Sequence, residues 1–210
     1  LAADDLILAI MRMKDGAEPP KEGRTFTDND LLLDVVDENQ SLIQHLSDLG
    51  VGIYYAYGPK ELGHHGMSKE MLGLFSAEGG RPQIVLNDGM RSTRFTEVLR
   101  HEAIHVAHYL LLRNDKENLK LNKLAVKEML SSSYINEEMP GLYPGWENLS
   151  DLGKFAEVVV KLLEGKLEGT LEGKLPNASA EYLGRLTRFI RQLFSGAKGH
   201  TDLIRMTRKV

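Results

Sequence analysis

Hydrophobic residues recur every three or four positions along much of this chain, which is the spacing of amphipathic helices. The longest such stretch begins at Thr27 or Asp28, ends at Gly50, and has its apolar positions at Leu31, Leu32, Val35, Val36, Leu42, Ile43, Leu46 and Leu49. Thr and Asp are favoured at the residue that begins a helix, and Gly is favoured just beyond its last turn. The pattern therefore predicts one long helix over residues 27–49.

Two short segments change to the β-branched, aliphatic and aromatic residues that strands prefer. Val51–Tyr57 ends at Gly58-Pro59, and Gln83–Leu86 is followed by the turn residues Asn87-Asp88-Gly89. Strands among many helices indicate an α+β fold class. We expect a helix-rich domain with a small mixed sheet.

The rest of the chain predicts further helices and connecting segments. Helices are expected at about residues 2–14, 93–113, 124–130, 150–163 and 178–210. The segment from 131 to 145, which begins with three serines and contains two prolines, predicts a long loop. Three Leu-Glu-Gly repeats within 163–174 predict a frayed helix or a linker, because each Gly disfavours helix.

Composition narrows the class of protein. The chain has 210 residues, of which 42% are hydrophobic and 27% charged, with a net charge of -4, which is typical of a soluble globular protein. We expect an N-terminal arm at 1–22, a main domain at 23–165 and a basic C-terminal segment at 166–210. No apolar run approaches the roughly 20 residues that cross a bilayer, so no membrane segment is predicted and the cytoplasm is favoured. The absence of cysteine excludes disulfides, thiolate metal ligands and cysteine nucleophiles.

The helix expected at 93–113 contains the pattern His-Glu-x-x-His at residues 101–105. Residues four apart lie one turn apart on the same face of a helix, so both imidazoles can ligate one zinc ion. Glu102, the residue between them, is then placed to accept a proton from water at the metal. The pattern predicts a catalytic or structural zinc site, and the alternative is two histidines that only decorate a helix.

A further histidine, His108, shares this helical face. We expect all three histidines to lie off the core stripe of the helix, whose positions are Phe95, Leu99, Ala103, Val106 and Leu110. His108 is about 10 Å of helical rise from His101, too far for both to ligate the same ion together with His105. It is therefore expected beside the metal or in a substrate groove, with an ordinary surface histidine as the alternative.

The segment around His101–His105 resembles the zincin metallopeptidases, including small peptidase-like domains encoded by bacteria and phages. The order of predicted elements is similar over about residues 27–163: a helix, two strands and then the motif helix. The resemblance implies a zincin-like fold, His101 and His105 as ligands of Zn²⁺, and Glu102 as the general base. It also implies that Gln83–Leu86 is the sheet edge along which an extended peptide substrate lies.

The third zinc ligand separates the groups of zincins. Metzincins place a third His six residues after the second, where this chain has Leu111. The chain instead resembles the gluzincins, which take a Glu from a later helix. Glu157 is favoured, because a carboxylate among core positions is costly unless it has a role. Glu147 is the alternative, since Glu147 and Asp151 match the Glu-x-x-x-Asp pattern of thermolysin-like enzymes.

The function that the resemblance implies is zinc-dependent hydrolysis of peptide bonds in a peptide or protein substrate. A donor to the oxyanion is expected among Tyr134, Tyr143, His108, and the pair His64-His65, which is also a candidate second metal site. The alternative function is a non-catalytic zincin scaffold with a structural role, as in a virion, or one that binds nucleic acid or a partner through Arg185–Lys209. The net charge of -4 disfavours nucleic acid, and the oligomeric state is left open.

Overall fold

The computed structural model describes residues 39–56, 58–77, 80, 82–87, 92–167 and 177–195. Within these ranges the protein has an α+β architecture that is rich in helix, as predicted. Its elements are α1 (residues 39–48), β1 (Gly52–Ala56), α2 (Gly58–His64), β2 (Gly73–Ser76), β3 (Gln83–Asn87), α3 (Ser92–Asn114), α4 (Lys116–Leu130), α5 (Ser133–Leu142), α6 (Asp151–Leu163) and α7 (Asn177–Phe194). None of the described helices is both long enough and apolar enough to cross a bilayer.

Several sequence predictions concern residues outside these ranges. They include the N-terminal arm at 1–22, the start of the long helix at 27–38, the repeats at 168–176 and the basic tail at 196–210. The predicted domain boundaries after residues 22 and 165 stay predictions. In the described chain the contacts form two compact units, the first ending at Val106 and the second beginning at Ala107.

The sheet of the first unit is mixed and has β3 at its centre. β3 pairs in parallel with β1 and antiparallel with β2, in the order β1-β3-β2. Its residues Ile84, Val85 and Leu86 are all fully buried, as expected of a central strand. The prediction that Gln83–Leu86 is a sheet edge is therefore wrong. It failed because β2, a four-residue strand that contains a glycine, gave no strand pattern of its own.

The register divides the side chains of the sheet between its two faces. Leu74 pairs with Val85, which packs with Leu62 of α2 and with Ala56 in one hydrophobic cluster. Gly73 and Phe75 pair with Leu86 and Ile84, so they lie on the opposite face. That second face of β2 is the one that meets α3.

The C-terminal end of α1 is marked by a glycine. Gly50 has a φ of 80°, the left-handed conformation that favours glycine, and it follows the last helical turn as predicted. The amide of Val51 donates to the carbonyl of Leu46, and the amide of Gly50 donates to that of Ser47, which completes a Schellman motif. Asn39 donates to the Thr96 hydroxyl at 2.7 Å, which ties α1 to α3.

The second unit is a helical bundle in which α4 packs along α7 and contacts α5 and α6. One face of α7 is fully buried and consists of Tyr182, Leu183, Leu186, Ile190 and Phe194. The opposite face carries Arg185 and Arg188. The prediction of a basic amphipathic helix docked by its apolar face is confirmed for residues 177–194.

Three predictions for the second unit are corrected. The expected loop at 131–145 contains α5, which begins where the Ser132 hydroxyl accepts from the Ile135 amide and buries Ile135 and Met139 one turn apart. α4 begins at Lys116 rather than near residue 124, because Asp115 caps its first turn. Leu152, expected in the apolar stripe of α6, is exposed.

Candidate metal centre

Helix α3 carries the residues of the His-Glu-x-x-His pattern and is buried on most of its circumference. The predicted core positions Phe95, Leu99, Ala103 and Val106 are fully buried. However, His105 and His108 are only 9% and 6% exposed, so the prediction that the histidines lie off the core is wrong for these two. Every residue from 102 to 108 is buried, because α3 is covered on more than one side.

His101 and His105 present their ring nitrogens to each other. Their Nε2 atoms are 3.2 Å apart, and their ring centroids are 5.0 Å apart in an edge-to-face arrangement. Two tetrahedral zinc ligands at about 2.05 Å from the ion would be separated by about 3.3 Å. The two nitrogens therefore already have the spacing that a shared zinc ion requires.

A carboxylate completes the group. One carboxylate oxygen of Glu157 and the ring nitrogens of His101 and His105 all lie within 4.8 Å of one another. Glu157 lies in α6 and is only 8% exposed, so its side chain is buried rather than facing solvent. In the described part of the chain, this is the only group of three or more His, Asp or Glu with that proximity.

Glu147, the alternative ligand, has a different environment. It lies in a single 3₁₀ turn at Trp146–Asn148, its side chain is 79% exposed, and its Oε2 is 3.8 Å from the Lys154 Nζ. It is not a member of the three-residue group. Of the two acids that the sequence proposed, the structure brings only Glu157 to the histidines.

The donor set fits zinc in a catalytic type of site. Two imidazole nitrogens with one carboxylate oxygen supply three ligands and leave a fourth position open, whereas structural zinc sites are usually closed by four ligands, most often with cysteine. The pattern of donors also fits the preference of Zn²⁺ for nitrogen over an all-oxygen cage. These residues could therefore hold zinc.

Glu102 lies against strand β2. It is 5% exposed, and a Cβ added at Gly73 would be 2.7 Å from its Oε1 and 2.6 Å from the Val98 Cγ1. Such distances are too short for real contacts, so only glycine allows the β2 backbone to approach α3 this closely. Phe75, two residues further along β2, stacks near the His105 ring at 6.3 Å with an interplanar angle of 10°.

Asn87 holds the entry to β2 in place. Its Nδ2 donates to the carbonyls of Lys69 at 3.3 Å and Met71 at 2.7 Å, and its backbone amide donates to that of Leu72 at 2.9 Å. The sequence pattern places Asn87 only in a turn and predicts no role for Gly73. A glycine between apolar residues at 71–75 was the available signal, because an isolated glycine in a strand often marks close backbone approach.

His108 belongs to the core of the second unit rather than to a groove. Its ring centroid lies 5.8 Å from that of Phe155 and 5.6 Å from that of Tyr182, and its Nε2 is 3.3 Å from the Asn122 Nδ2. Tyr182 is fully buried in the same cluster, and that burial raises the pKa of its hydroxyl well above the usual range. The expectation of a groove residue is thus corrected.

We predict that His108→Ala lowers the free energy of unfolding by about 2–4 kcal/mol, because it leaves a cavity between two aromatic rings and removes a partner of Asn122. Zinc content should stay the same as in the native protein. Urea unfolding and elemental analysis on the same sample check both statements. Loss of zinc from a folded His108→Ala protein would contradict the core role.

The other candidate donors belong to α5, α2 and the residues that follow them. Tyr134 is in α5 and Tyr143 follows it, and both are half-buried. His64 ends α2 and His65 follows it, with their ring centroids 5.5 Å apart, and the His65 ring also lies 5.5 Å from that of Tyr54. Burial lowers the pKa of His65. Within the described ranges no third ligand joins this pair, so the candidate second metal site is not formed there.

Comparison of the chain with protein-family models, with curated proteins and with solved structures finds no match. A functional assignment must therefore come from the geometry and chemistry of the site itself.

Proposed function

We propose that this protein is a zinc-dependent peptidase with a zincin-like fold, in which His101, His105 and Glu157 hold the metal and Glu102 is the general base. One observation carries the proposal: the ligand atoms of these three residues lie within 4.8 Å of one another. The two histidines come from one helix and the carboxylate from another, as in the gluzincin pattern that the sequence resembles. The 3.2 Å separation of the two Nε2 atoms also fits a single zinc ion bound by both histidines.

The chemistry divides between the metal and the protein. Zinc held by these residues would polarise a substrate carbonyl and make a water molecule more acidic. Glu102 accepts the proton of the attacking water at its carboxylate and later donates it to the leaving amine. The Glu102 carboxylate lies against β2 at Gly73, where an added Cβ would be 2.7 Å from its Oε1.

The sheet order supports a substrate position along β2. β2 is at one edge of the described sheet, and its Gly73 and Phe75 lie next to Glu102 and His105. If the family's substrate arrangement applies, the peptide extends along β2 rather than β3. Phe75 then contributes an aromatic surface beside the reacting bond.

Zinc binding tests the ligand set. We expect the native protein, dialysed against trace zinc at neutral pH, to retain one zinc per chain, and Glu157→Gln to bind zinc at least about 100-fold more weakly. Glu147→Gln is the matched control, because it removes an equal charge at the exposed alternative site and should leave zinc binding unchanged. Equal zinc affinity of folded Glu157→Gln and native protein would refute the assignment.

A further inference from the structure

A cavity of about 260 Å³ opens on the second unit, where α7 lies beside α4. The proposed peptidase mechanism does not use any of its lining residues, which are Leu111, Asn118, Arg185, Arg188, Phe189 and Gln192. Four of the six carry hydrogen-bonding groups, one is aromatic and one is aliphatic. The lining is therefore a polar rim beside an apolar floor, as in many sites for small ligands.

Asn118 offers a hydrogen-bond donor at the cavity. Asn118 is only 7% exposed, and its Oδ1 accepts a hydrogen bond from the Arg185 Nη1 at 2.9 Å. Its Nδ2 has no hydrogen-bond partner in the described part of the chain. This nitrogen is not fully buried, so it can donate to a ligand acceptor in the cavity.

The charge of the cavity is positive. The Arg188 Nε donates to the Gly184 carbonyl at 3.3 Å, and its two terminal nitrogens have no partner among the described residues. Arg185 is partly neutralised by Glu181, whose Oε1 lies 2.7 Å from its Nη2. Arg188 therefore presents an uncompensated guanidinium, a group whose planar donors match phosphate oxygens.

We propose that this cavity binds one nucleotide unit, with its phosphate on Arg188 and the Asn118 Nδ2 and its base against Phe189. A phosphate is favoured over a carboxylate because it offers more acceptor oxygens and more charge to these donors. The ring of Phe189, which is half-buried, supplies the stacking surface that proteins use for bases of any sequence. The cavity volume of about 260 Å³ lies just below the roughly 300 Å³ at the small end of ligand pockets, so the cavity has room for at most one nucleotide.

The bound nucleotide unit could be a free nucleotide or one nucleotide of a single-stranded nucleic acid, since both present a phosphate and a base. Binding of a fluorescein-labelled oligothymidylate of about ten nucleotides to the full chain is measured at low salt by fluorescence anisotropy. Thymidine monophosphate is then added to test whether it displaces the labelled oligonucleotide. Arg188→Gln should weaken binding about tenfold or more, and Phe189→Leu by a similar factor. Lys123→Gln, which removes the same charge from an exposed position of α4 outside the cavity, should change binding less than twofold.

The competition identifies the source. Full displacement by thymidine monophosphate supports a free nucleotide as the ligand, and displacement only by unlabelled oligonucleotide supports single-stranded nucleic acid. The proposal is overturned if neither probe binds, or if Lys123→Gln weakens binding as much as Arg188→Gln, since binding then follows overall charge. Zinc content should be unaffected by Arg188→Gln, so this result is independent of the peptidase proposal.

Discussion

Replacing Glu102 with Gln should reduce peptide hydrolysis by about 100- to 10,000-fold while the protein keeps its zinc. The amide has nearly the same shape as the carboxylate but cannot accept the proton of the attacking water, which is the step assigned to Glu102. Since zinc is assigned to His101, His105 and Glu157, the metal should remain. Hydrolysis of a mixed fluorogenic peptide library by zinc-loaded protein, with elemental analysis of the same sample, measures both quantities.

The matched control for this prediction is Glu97→Gln. Glu97 lies on the same helix, is paired with Arg94 at 3.4 Å and has a half-exposed side chain, so its loss should leave hydrolysis unchanged. If Glu102→Gln hydrolyses peptides as fast as Glu97→Gln and native protein do, Glu102 is not the base. If zinc-loaded native protein cleaves no peptide, the non-catalytic scaffold becomes the better account.

Gly73→Ala should have the second largest effect, although residue 73 carries no reactive group. The new Cβ would lie 2.7 Å from the Glu102 Oε1 and 2.6 Å from the Val98 Cγ1, so the carboxylate or the strand must shift. A displacement of about 1 Å at a catalytic group can cost about 100-fold in rate, and overpacking of this kind costs about 1–3 kcal/mol of stability. We expect hydrolysis to fall about 10- to 100-fold with zinc retained.

Gly63→Ala serves as the control for Gly73→Ala. A Cβ at Gly63, which lies in α2, meets nothing within 4 Å, so the change should be neutral or stabilise the helix by up to about 1 kcal/mol. The two variants are compared by thermal unfolding and by the same hydrolysis assay. If Gly73→Ala matches Gly63→Ala in both, β2 does not approach Glu102 as closely as we describe.

The features that sequence could predict are local in the chain. The spacing of His101 and His105 follows from helical geometry, because residues four apart share a face whatever the rest of the fold does. Glu157 was singled out because an acid among Phe155, Val158 and Val159 is costly to bury without a role. Gly50 likewise marks the end of α1, since a left-handed residue after the last turn favours glycine.

The features that sequence missed depend on contacts between distant segments. The order β1-β3-β2 makes Gln83–Leu86 central, and nothing within those four residues distinguishes a central strand from an edge. The short strand β2 is held by pairing to β3 and by Asn87 rather than by its own propensity. His108 was misplaced because its burial depends on Phe155 and Tyr182, which are far away in the chain.

The central claim of this account is a zinc site made by His101, His105 and Glu157. The most direct test is anomalous diffraction at the zinc edge from crystals of the zinc-loaded protein. We expect one peak within about 2.1 Å of the Nε2 atoms of both histidines and of one carboxylate oxygen of Glu157. A peak at other residues, or no peak in crystals grown with zinc, would contradict it.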